Sequence, residues 1–178
     1  VTSSNALKFV PALPQKNIFF VPDENLGRYI GSKLPEKNFI YNDGFCHVHR
    51  SITAENVKKA KEVHPEAEVL VHPECTPDVV ALGDYVGSTS GIIDYATASD
   101  KDVFIICTEM GVLYELKQKN PGKTFYSVGH RQFCPNMKRI SLENVRDTLR
   151  DMKNQVELPE ELRLNAKKAL DEMLRIAQ

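Results

Sequence analysis

Short apolar segments alternate with amphipathic segments along most of the chain. Five segments are rich in Ile, Val, Phe or Tyr and are bounded by turn-forming residues, which predicts short β-strands. The predicted strands are Asn17 to Val21, Asn38 to Tyr41, Glu68 to Val71, Val103 to Thr108 and Thr124 to Val128. Their length and the helical patterns between them favour parallel pairing, because parallel strands need a crossover connection.

Apolar residues at helical spacing lie between several of these strands. The clearest case follows Thr53, which suits a helix N-cap, and places Val57, Ala60 and Val63 on one face. The predicted helices are Ala54 to His64, Pro77 to Leu82, Gly91 to Ala98 and Val112 to Lys119. Strands alternating with helices predict an α/β fold, in which short parallel sheets carry helices on both faces.

The last part of the chain has helical spacing without strands. Ser141 is a candidate N-cap for a helix that runs to about Met152, and Pro159 is placed to open a second helix. We expect a buried stripe on the second helix, formed by Leu162, Ala166, Ala169 or Leu170, and Met173. The pattern therefore predicts a terminal pair of helices that packs on the α/β body.

Composition narrows the class of protein. With 178 residues, of which 42% are apolar, the chain can form a core, and its net charge of −1 does not favour binding to nucleic acid. No apolar run approaches the roughly 20 residues that span a bilayer, and no secretory leader is evident. The four cysteines form no CxxC pair, so we expect a cytoplasmic protein with reduced thiols. The start at Val1 suggests part of a longer protein.

Polar and cysteine-containing segments follow the predicted strands. Because ligands of parallel α/β sheets bind beyond the carboxyl ends of the strands, we expect an active site where these segments gather. The segments are Val21 to Asn25, Gly44 to His49, His72 to Cys75, Thr108 to Gly111 and His130 to Met137.

The segment His72-Pro73-Glu74-Cys75 carries the strongest candidates for acid–base chemistry. In an extended segment His72 and Glu74 would face the same side, and a partly desolvated cleft would raise the pKa of Glu74 towards neutrality. Such a carboxyl group can act as a general acid or base. The alternative is a structural pair, with Glu74 as a cap and His72 hydrogen-bonded at the strand end.

The loop Gly87-Ser88-Thr89-Ser90-Gly91 precedes an apolar helix. Free backbone N–H groups at a helix start, together with three hydroxyl groups, can bind a phosphate or carboxylate, and the flanking glycines would let a ligand approach. The loop lacks the Lys of a Walker motif. The alternative is a simple Ser or Thr cap.

Cys46 and Cys134 lie in strand-end segments, where a thiolate could bind zinc or an iron–sulfur cluster, or remain a free thiol. Cys107 lies inside an apolar run and is expected to be buried. His47 and His49 would share a face if their segment were a strand, which leaves open a zinc-dependent hydrolase or lyase. A role in closing a turn is the structural alternative.

Taken together, the motifs resemble the quinolinate synthase family of NAD biosynthesis. The matching segments, in family order, are Thr2 to Ala6, Pro22 to Gly27, Gly44 to His49, His72 to Cys75, Asp84 to Ile93, Thr108 to Gly111 and Cys134 to Met137. The resemblance implies three α/β/α units around a pseudo-threefold axis, of which this chain would hold about one and a half. We expect residues 1–46 to end the second unit, 47–134 to form the third and 135–178 to form a C-terminal helical segment.

The resemblance also implies a chemistry. The family condenses iminoaspartate with dihydroxyacetone phosphate to quinolinate, with loss of phosphate and water, on a [4Fe–4S] cluster that acts as a Lewis acid. By motif, Cys46 and Cys134 would be metal ligands, Glu74 and His72 catalytic, and Ser3, His72, Glu74 and Thr89 substrate-binding. One further cysteine would come from a part of the family sequence that this chain lacks. L-aspartate oxidase or aspartate dehydrogenase would be the partner that supplies the imine.

Overall fold

The computed structural model describes residues 1–129 and 132–176. The chain divides into two compact units, Val1–Phe133 and Cys134–Gln178. The first unit contains both β-sheets, and the second is helical. Among the described residues, no helix is both long enough and apolar enough to cross a membrane.

The first sheet has two parallel strands, β1 (Asn17–Phe20) and β2 (Asn38–Tyr41). Helix α1 (Ala6–Ala12) precedes β1, and helix α2 (Glu24–Lys33) crosses from β1 to β2. A small core joins these elements, and its fully buried members include Ala6, Val10, Phe20, Leu26 and Ile30. Since Phe20 pairs with Tyr41, both strands end at the same edge.

The second sheet has four parallel strands in the order β4-β3-β5-β6. The strands are β3 (Glu68–Val71), β4 (Tyr85–Val86), β5 (Val103–Cys107) and β6 (Thr124–Ser127). The helices around them are α3 (His47–Arg50), α4 (Ala54–Val63), α5 (Pro77–Val80), α6 (Thr89–Ala98) and α7 (Val112–Lys119). The predicted α/β class with short parallel sheets is confirmed.

Alternating side chains of the central strands form two cores. Val69 and Val71 pack with Ile105 in one core, on the side of α4 and α5. Leu70 packs with Ile106 in the other core, on the side of α6 and α7. Because both faces of β3 and β5 are buried, these strands are apolar at successive positions, as parallel strands between two helical layers require.

The structure adds elements that the sequence pattern did not predict: α1, α2, α3 and the two-residue strand β4. Helix α6 begins at Thr89 instead of Gly91, because Ser88 caps it by accepting a hydrogen bond from the Gly91 N–H. In α4, Val57 is buried as predicted, but Val63 is 71% exposed and does not reach the core. The predicted Thr53 cap is confirmed.

The second unit contains a short 3₁₀ turn (Met137–Arg139) and helices α8 (Leu142–Asp151) and α9 (Glu160–Ile176). Ser141 caps α8 by accepting from the Asn144 N–H, as predicted. The buried stripe predicted for α9 is not observed, because Leu162 and Leu170 are 55% and 56% exposed. The predicted division into residues 1–46, 47–134 and 135–178 stays a prediction.

Candidate active site

A cluster of polar side chains lies where β3 and β5 end. The two strands are neighbours, with Val71 opposite Cys107, and the His72 N–H donates to the Cys107 carbonyl at 3.1 Å. His72 and Thr108 are therefore the first residues beyond adjacent strands. Both are buried, at 4% and 2% exposure. This is the edge where a parallel α/β sheet positions functional groups.

The segment from His72 to Cys75 is a turn, and the expectation of an extended segment was wrong. The Cys75 N–H donates to the His72 carbonyl at 3.0 Å, which reverses the chain around Pro73 and Glu74. The turn still brings the two predicted side chains to one place, because the Glu74 N–H donates to Nδ1 of His72 at 3.3 Å. His72 and Glu74 thus meet through the turn and not through strand alternation.

His49 joins this cluster from α3. Its ring stacks on His72 with the ring centroids 4.2 Å apart and the planes 8° from parallel. Its Nδ1 lies 3.0 Å from Oε2 of Glu74, and its Nε2 lies 2.9 Å from Oγ1 of Thr108. Both ring nitrogens therefore have partners, so the imidazole orientation is fixed.

The protonation states follow from these contacts. Burial lowers the pKa of His49, but the adjacent Cys46 thiol and Glu74 carboxylate outweigh it and raise the pKa to about 9. His49 is thus a cation at neutral pH that donates to both Glu74 and Thr108. Burial raises the pKa of Glu74, but the hydrogen bond from His49 and the positive charge of that ring shift it below the ordinary value. The expectation of a raised pKa for Glu74 was therefore wrong.

His72 is the neutral member of the stacked pair. Burial and the positive charge of His49 lower its pKa to about 4. Because its Nδ1 accepts from the Glu74 N–H, its proton resides on Nε2, which lies 3.2 Å from Oγ of Ser3. Ser3 thus contacts a neutral imidazole N–H donor, and the predicted residues Ser3, His72 and Glu74 come together in the structure.

Cys46 lies beside this cluster as the residue before α3. Its sulfur, a ring nitrogen of His49 and a carboxylate oxygen of Glu74 all lie within 4.8 Å of one another. The adjacent His49 ring lowers the pKa of the Cys46 thiol, although burial opposes the shift. A half-buried cysteine that ionises readily is suited to bind a metal.

The other cysteines of the first unit are of a different kind. Cys75 and Cys107 are 1% and 0% exposed, and burial raises the pKa of both thiols, that of Cys107 to about 12. They behave as small apolar core residues, as predicted for Cys107.

Comparison with known proteins agrees with the motifs. The model of the family described as Quinolinate synthetase A protein matches residues 1–175. The chain belongs to this family. The quinolinate synthase of Caldicellulosiruptor bescii is 53% identical over 173 residues, which are 97% of this chain and 57% of that protein. The quinolinate synthase of Clostridioides difficile is 48% identical over 178 residues, or 100% of this chain and 59% of that protein.

An archaeal relative gives the same picture. Quinolinate synthase 2 of Methanosarcina acetivorans is 44% identical over 176 residues, covering 99% of this chain and 56% of that protein. The chain thus spans somewhat more than half the length of the family members that it matches.

The family motif after β4 forms the start of a helix. Ser88 caps α6, and Thr89 and Ser90 are exposed. The glycines accommodate the ring of Tyr85: a Cβ at Gly87 or Gly91 would lie 2.5 or 2.7 Å from the Tyr85 hydroxyl oxygen. The glycines are explained by this aromatic ring, and the binding of an anion at Thr89 stays a prediction.

The histidines before α4 do not share a face. The segment is a helical turn, so the strand geometry expected for His47 and His49 was wrong. His47 is exposed, whereas His49 is 7% exposed and points into the cluster. A zinc site that uses both side chains is therefore not supported.

Cys134 begins the second unit and is half-buried. Its carbonyl accepts from the Lys138 N–H at 3.2 Å, which starts the turn that precedes α8. Its predicted role as a metal ligand stays a prediction. His130 and Arg131, the first residues of the predicted strand-end segment, lie outside the described residues.

Thr108 and Gln132 belong to predicted strand-end segments, but no role was predicted for either side chain. The Gln132 side chain is buried and donates to the carbonyls of Ile106 and Thr108 at 2.7 and 2.6 Å. It thereby fixes the end of β5, from which Thr108 contacts His49. The signal available for Thr108 was its place directly after an apolar strand, within a family motif.

Proposed function

We propose that the full-length protein containing this chain is a quinolinate synthase, which condenses iminoaspartate with dihydroxyacetone phosphate and releases phosphate and water. Membership of the family and the names of its relatives, which are quinolinate synthases, support this activity. The observation that carries it in this chain is the contact of the half-buried Glu74 with the stacked, buried rings of His49 and His72, beside Cys46.

The family resemblance implies a [4Fe–4S] cluster, and the donor chemistry of Cys46 fits it. Iron–sulfur clusters are held by thiolates, and Cys46 has a lowered pKa at the rim of the polar cluster. We propose that Cys46 and Cys134 bind the cluster with a third cysteine from outside this chain. When bound, the cluster supplies a Lewis acid that polarises a substrate oxygen.

The polar side chains have separable roles in this proposal. Glu74 is held in its ionised form by His49, so it begins the reaction as a base that can accept a proton and return it in a later step. His72 is neutral and presents its Nε2 proton towards Ser3, where it can donate to a substrate carboxylate or hydroxyl group. Thr89 would contact the substrate from the start of α6.

The contact with His49 keeps the Glu74 carboxylate ionised and oriented at neutral pH, although a lowered pKa also makes it a weaker base. A cationic imidazole at 3.0 Å fixes the direction of the carboxylate and stabilises its charge in a half-buried position. The proton that Glu74 accepts then enters a network in which His49 is already bonded to Thr108.

The proposed activity is tested with Glu74→Gln in the anaerobically purified full-length protein. The substitution keeps the size of the side chain but removes the proton acceptor. Turnover should fall roughly 10²-fold or more, the scale of a lost acid–base group, while iron and labile sulfide stay at the parent level. Turnover near the parent value would show that Glu74 is not the proton acceptor.

A mononuclear zinc site is the second candidate, because Cys46, His49 and Glu74 place three possible ligand atoms within 4.8 Å. This set differs from the His47 and His49 pair expected from the sequence. Metal analysis separates the two functions. Iron with an equal amount of labile sulfide supports the synthase, whereas a single zinc without sulfide supports a zinc-dependent hydrolase or lyase.

The cellular setting follows from the proposed reaction. We propose that the protein acts in the cytoplasm and receives its unstable imine from L-aspartate oxidase or aspartate dehydrogenase.

A further inference from the structure

Asp23 is a buried carboxylate that lies after β1 and has no part in the proposed chemistry. It is 5% exposed, and its two oxygens accept hydrogen bonds from two separate segments of backbone. Oδ1 accepts from the Leu26 N–H in the first turn of α2, and Oδ2 accepts from the Cys46 N–H, both at 2.8 Å. One side chain thus connects a helix start to the proposed metal ligand.

The surrounding backbone brings these two segments together. Since β1 and β2 are parallel and end at one edge, the loops that follow them run side by side. The Glu24 N–H donates to the Gly44 carbonyl at 2.8 Å, and the Asn42 side chain donates to the Pro22 carbonyl at 2.9 Å. The hydrogen bond from the Cys46 N–H to Asp23 is the last of these contacts, and it lies nearest to the polar side chains of the candidate site.

Capping of α2 does not account for this residue by itself. A cap needs one acceptor oxygen, which Ser, Thr or Asn supplies as well as Asp. The bond to the Cys46 N–H needs a second acceptor oxygen in the same side chain, and only a carboxylate provides two. Burial raises the pKa of Asp23, and the negative charge of Glu74 adds to the shift, so the charge itself is disfavoured here. The two hydrogen bonds, and not the charge, therefore account for a carboxylate at this position.

We propose that Asp23 is a positioning residue for Cys46. Asp23 fixes the backbone at Cys46 and hence the direction from which the Cys46 sulfur meets the iron–sulfur cluster. This inference rests on the proposed role of Cys46 as a cluster ligand. Groups that orient a metal ligand from behind affect metal retention strongly, and their loss typically weakens binding 10–100-fold.

The test compares Asp23→Ser with Asp43→Ser in the anaerobically purified full-length protein. Ser at position 23 can still cap α2 but is too short to bond the Cys46 N–H as well. Asp43 is an exposed carboxylate three residues before Cys46 and is the matched control. The measurements are the rate of iron loss to a chelator, the electron paramagnetic resonance spectrum of the reduced cluster, and the circular dichroism of each protein.

We expect Asp23→Ser to fold like the parent, to lose iron about 10-fold faster and to show shifted g-values, whereas Asp43→Ser matches the parent in all three measurements. Asp23→Asn, which keeps the size but only one acceptor oxygen, should also lose iron faster.

Equal rates of iron loss for all variants would overturn the role of Asp23 while leaving Cys46 as a ligand. A parent without iron and sulfide would overturn the proposed function and this inference together. Asp23→Ser and Asp23→Asn proteins that do not fold would also overturn it, because Asp23 would then serve the whole fold.

Discussion

Two loops of the second sheet, the turn from His72 to Cys75 after β3 and the loop from Gly87 to Gly91 after β4, look alike in the sequence as sites for chemistry. In the structure they differ. The turn after β3 places buried polar groups in contact with other buried polar groups, with both nitrogens of His49 engaged. The loop after β4 uses Ser88 as a cap and leaves Thr89 exposed.

The turn after β3 holds its polar groups in fixed contacts before a ligand binds, whereas the loop after β4 leaves the Thr89 hydroxyl exposed to a ligand. Buried polar atoms are costly unless they are paired, so a site built from them is fixed before a ligand arrives. Exposed hydroxyl groups at a helix start have no such constraint, and they can serve binding without contributing to the fold. Substitutions in the turn after β3 should therefore affect both stability and chemistry, whereas substitution of the exposed Thr89 after β4 should affect substrate binding alone.

Thr108→Val should give the largest change in stability. The substitution keeps the shape but removes the hydroxyl that accepts from Nε2 of His49, leaving a buried, charged N–H without a partner. The loss of one partner of a buried hydrogen bond costs about 1–3 kcal/mol. Urea unfolding of the full-length apoprotein measures this cost. An unchanged free energy of unfolding would show that His49 does not depend on Thr108.

His72 should give an effect of similar size that develops only as the pH falls. Its pKa is about 4 in the folded protein and 6.5 in the unfolded chain, so the unfolded chain takes up a proton first as the pH falls. Stability is therefore lost as the pH drops below 6.5 towards 4. Between pH 7 and pH 5 the parent should lose about 2 kcal/mol more than His72→Gln. Parallel pH curves for the two proteins would contradict the low pKa.

Thr89→Val should give the smallest change in stability and is the matched control for Thr108→Val. Because Thr89 is exposed, the free energy of unfolding should stay within about 0.5 kcal/mol of the parent. If Thr89 binds substrate, KM rises while the unfolding curve is unchanged. A loss of stability equal to that of Thr108→Val would remove the distinction between the two loops.

The inner strands of the second sheet, β3 and β5, were predictable because they are buried on both faces. Glu68–Val71 was predicted at its observed bounds, and the strand from Val103 ended one residue early. Asn38–Tyr41, in the two-stranded sheet, was also predicted at its observed bounds. Strand β4 was missed because two residues show no periodicity. Helix α2 was missed because its two glycines, which pack against Phe20, Phe39 and Tyr41, lower helix propensity. Its signals were the Asp23 cap and the apolar residues Leu26 and Ile30 at helical spacing.

The residues that form the candidate site were easier to predict from the sequence than their geometry. His72, Glu74 and Cys46 were identified from strand-end positions and family motifs. The extended form of the 72–75 segment was wrong, because Pro73 and Glu74 occupy a turn. The pKa of Glu74 was predicted in the wrong direction, since its shift depends on the cation at His49, which reaches it from a helix 25 positions earlier in the chain. Contacts between distant segments carry no local signal.

The central proposal is that Cys46 and Cys134 bind one iron–sulfur cluster. It is tested by iron and labile sulfide analysis of Cys46→Ala, Cys134→Ala and Cys107→Ala in the anaerobically purified full-length protein. Cys46→Ala and Cys134→Ala should each lack the cluster, whereas Cys107→Ala, which changes a buried apolar thiol, should keep it. A parent-level cluster in either Cys46→Ala or Cys134→Ala would contradict the claim.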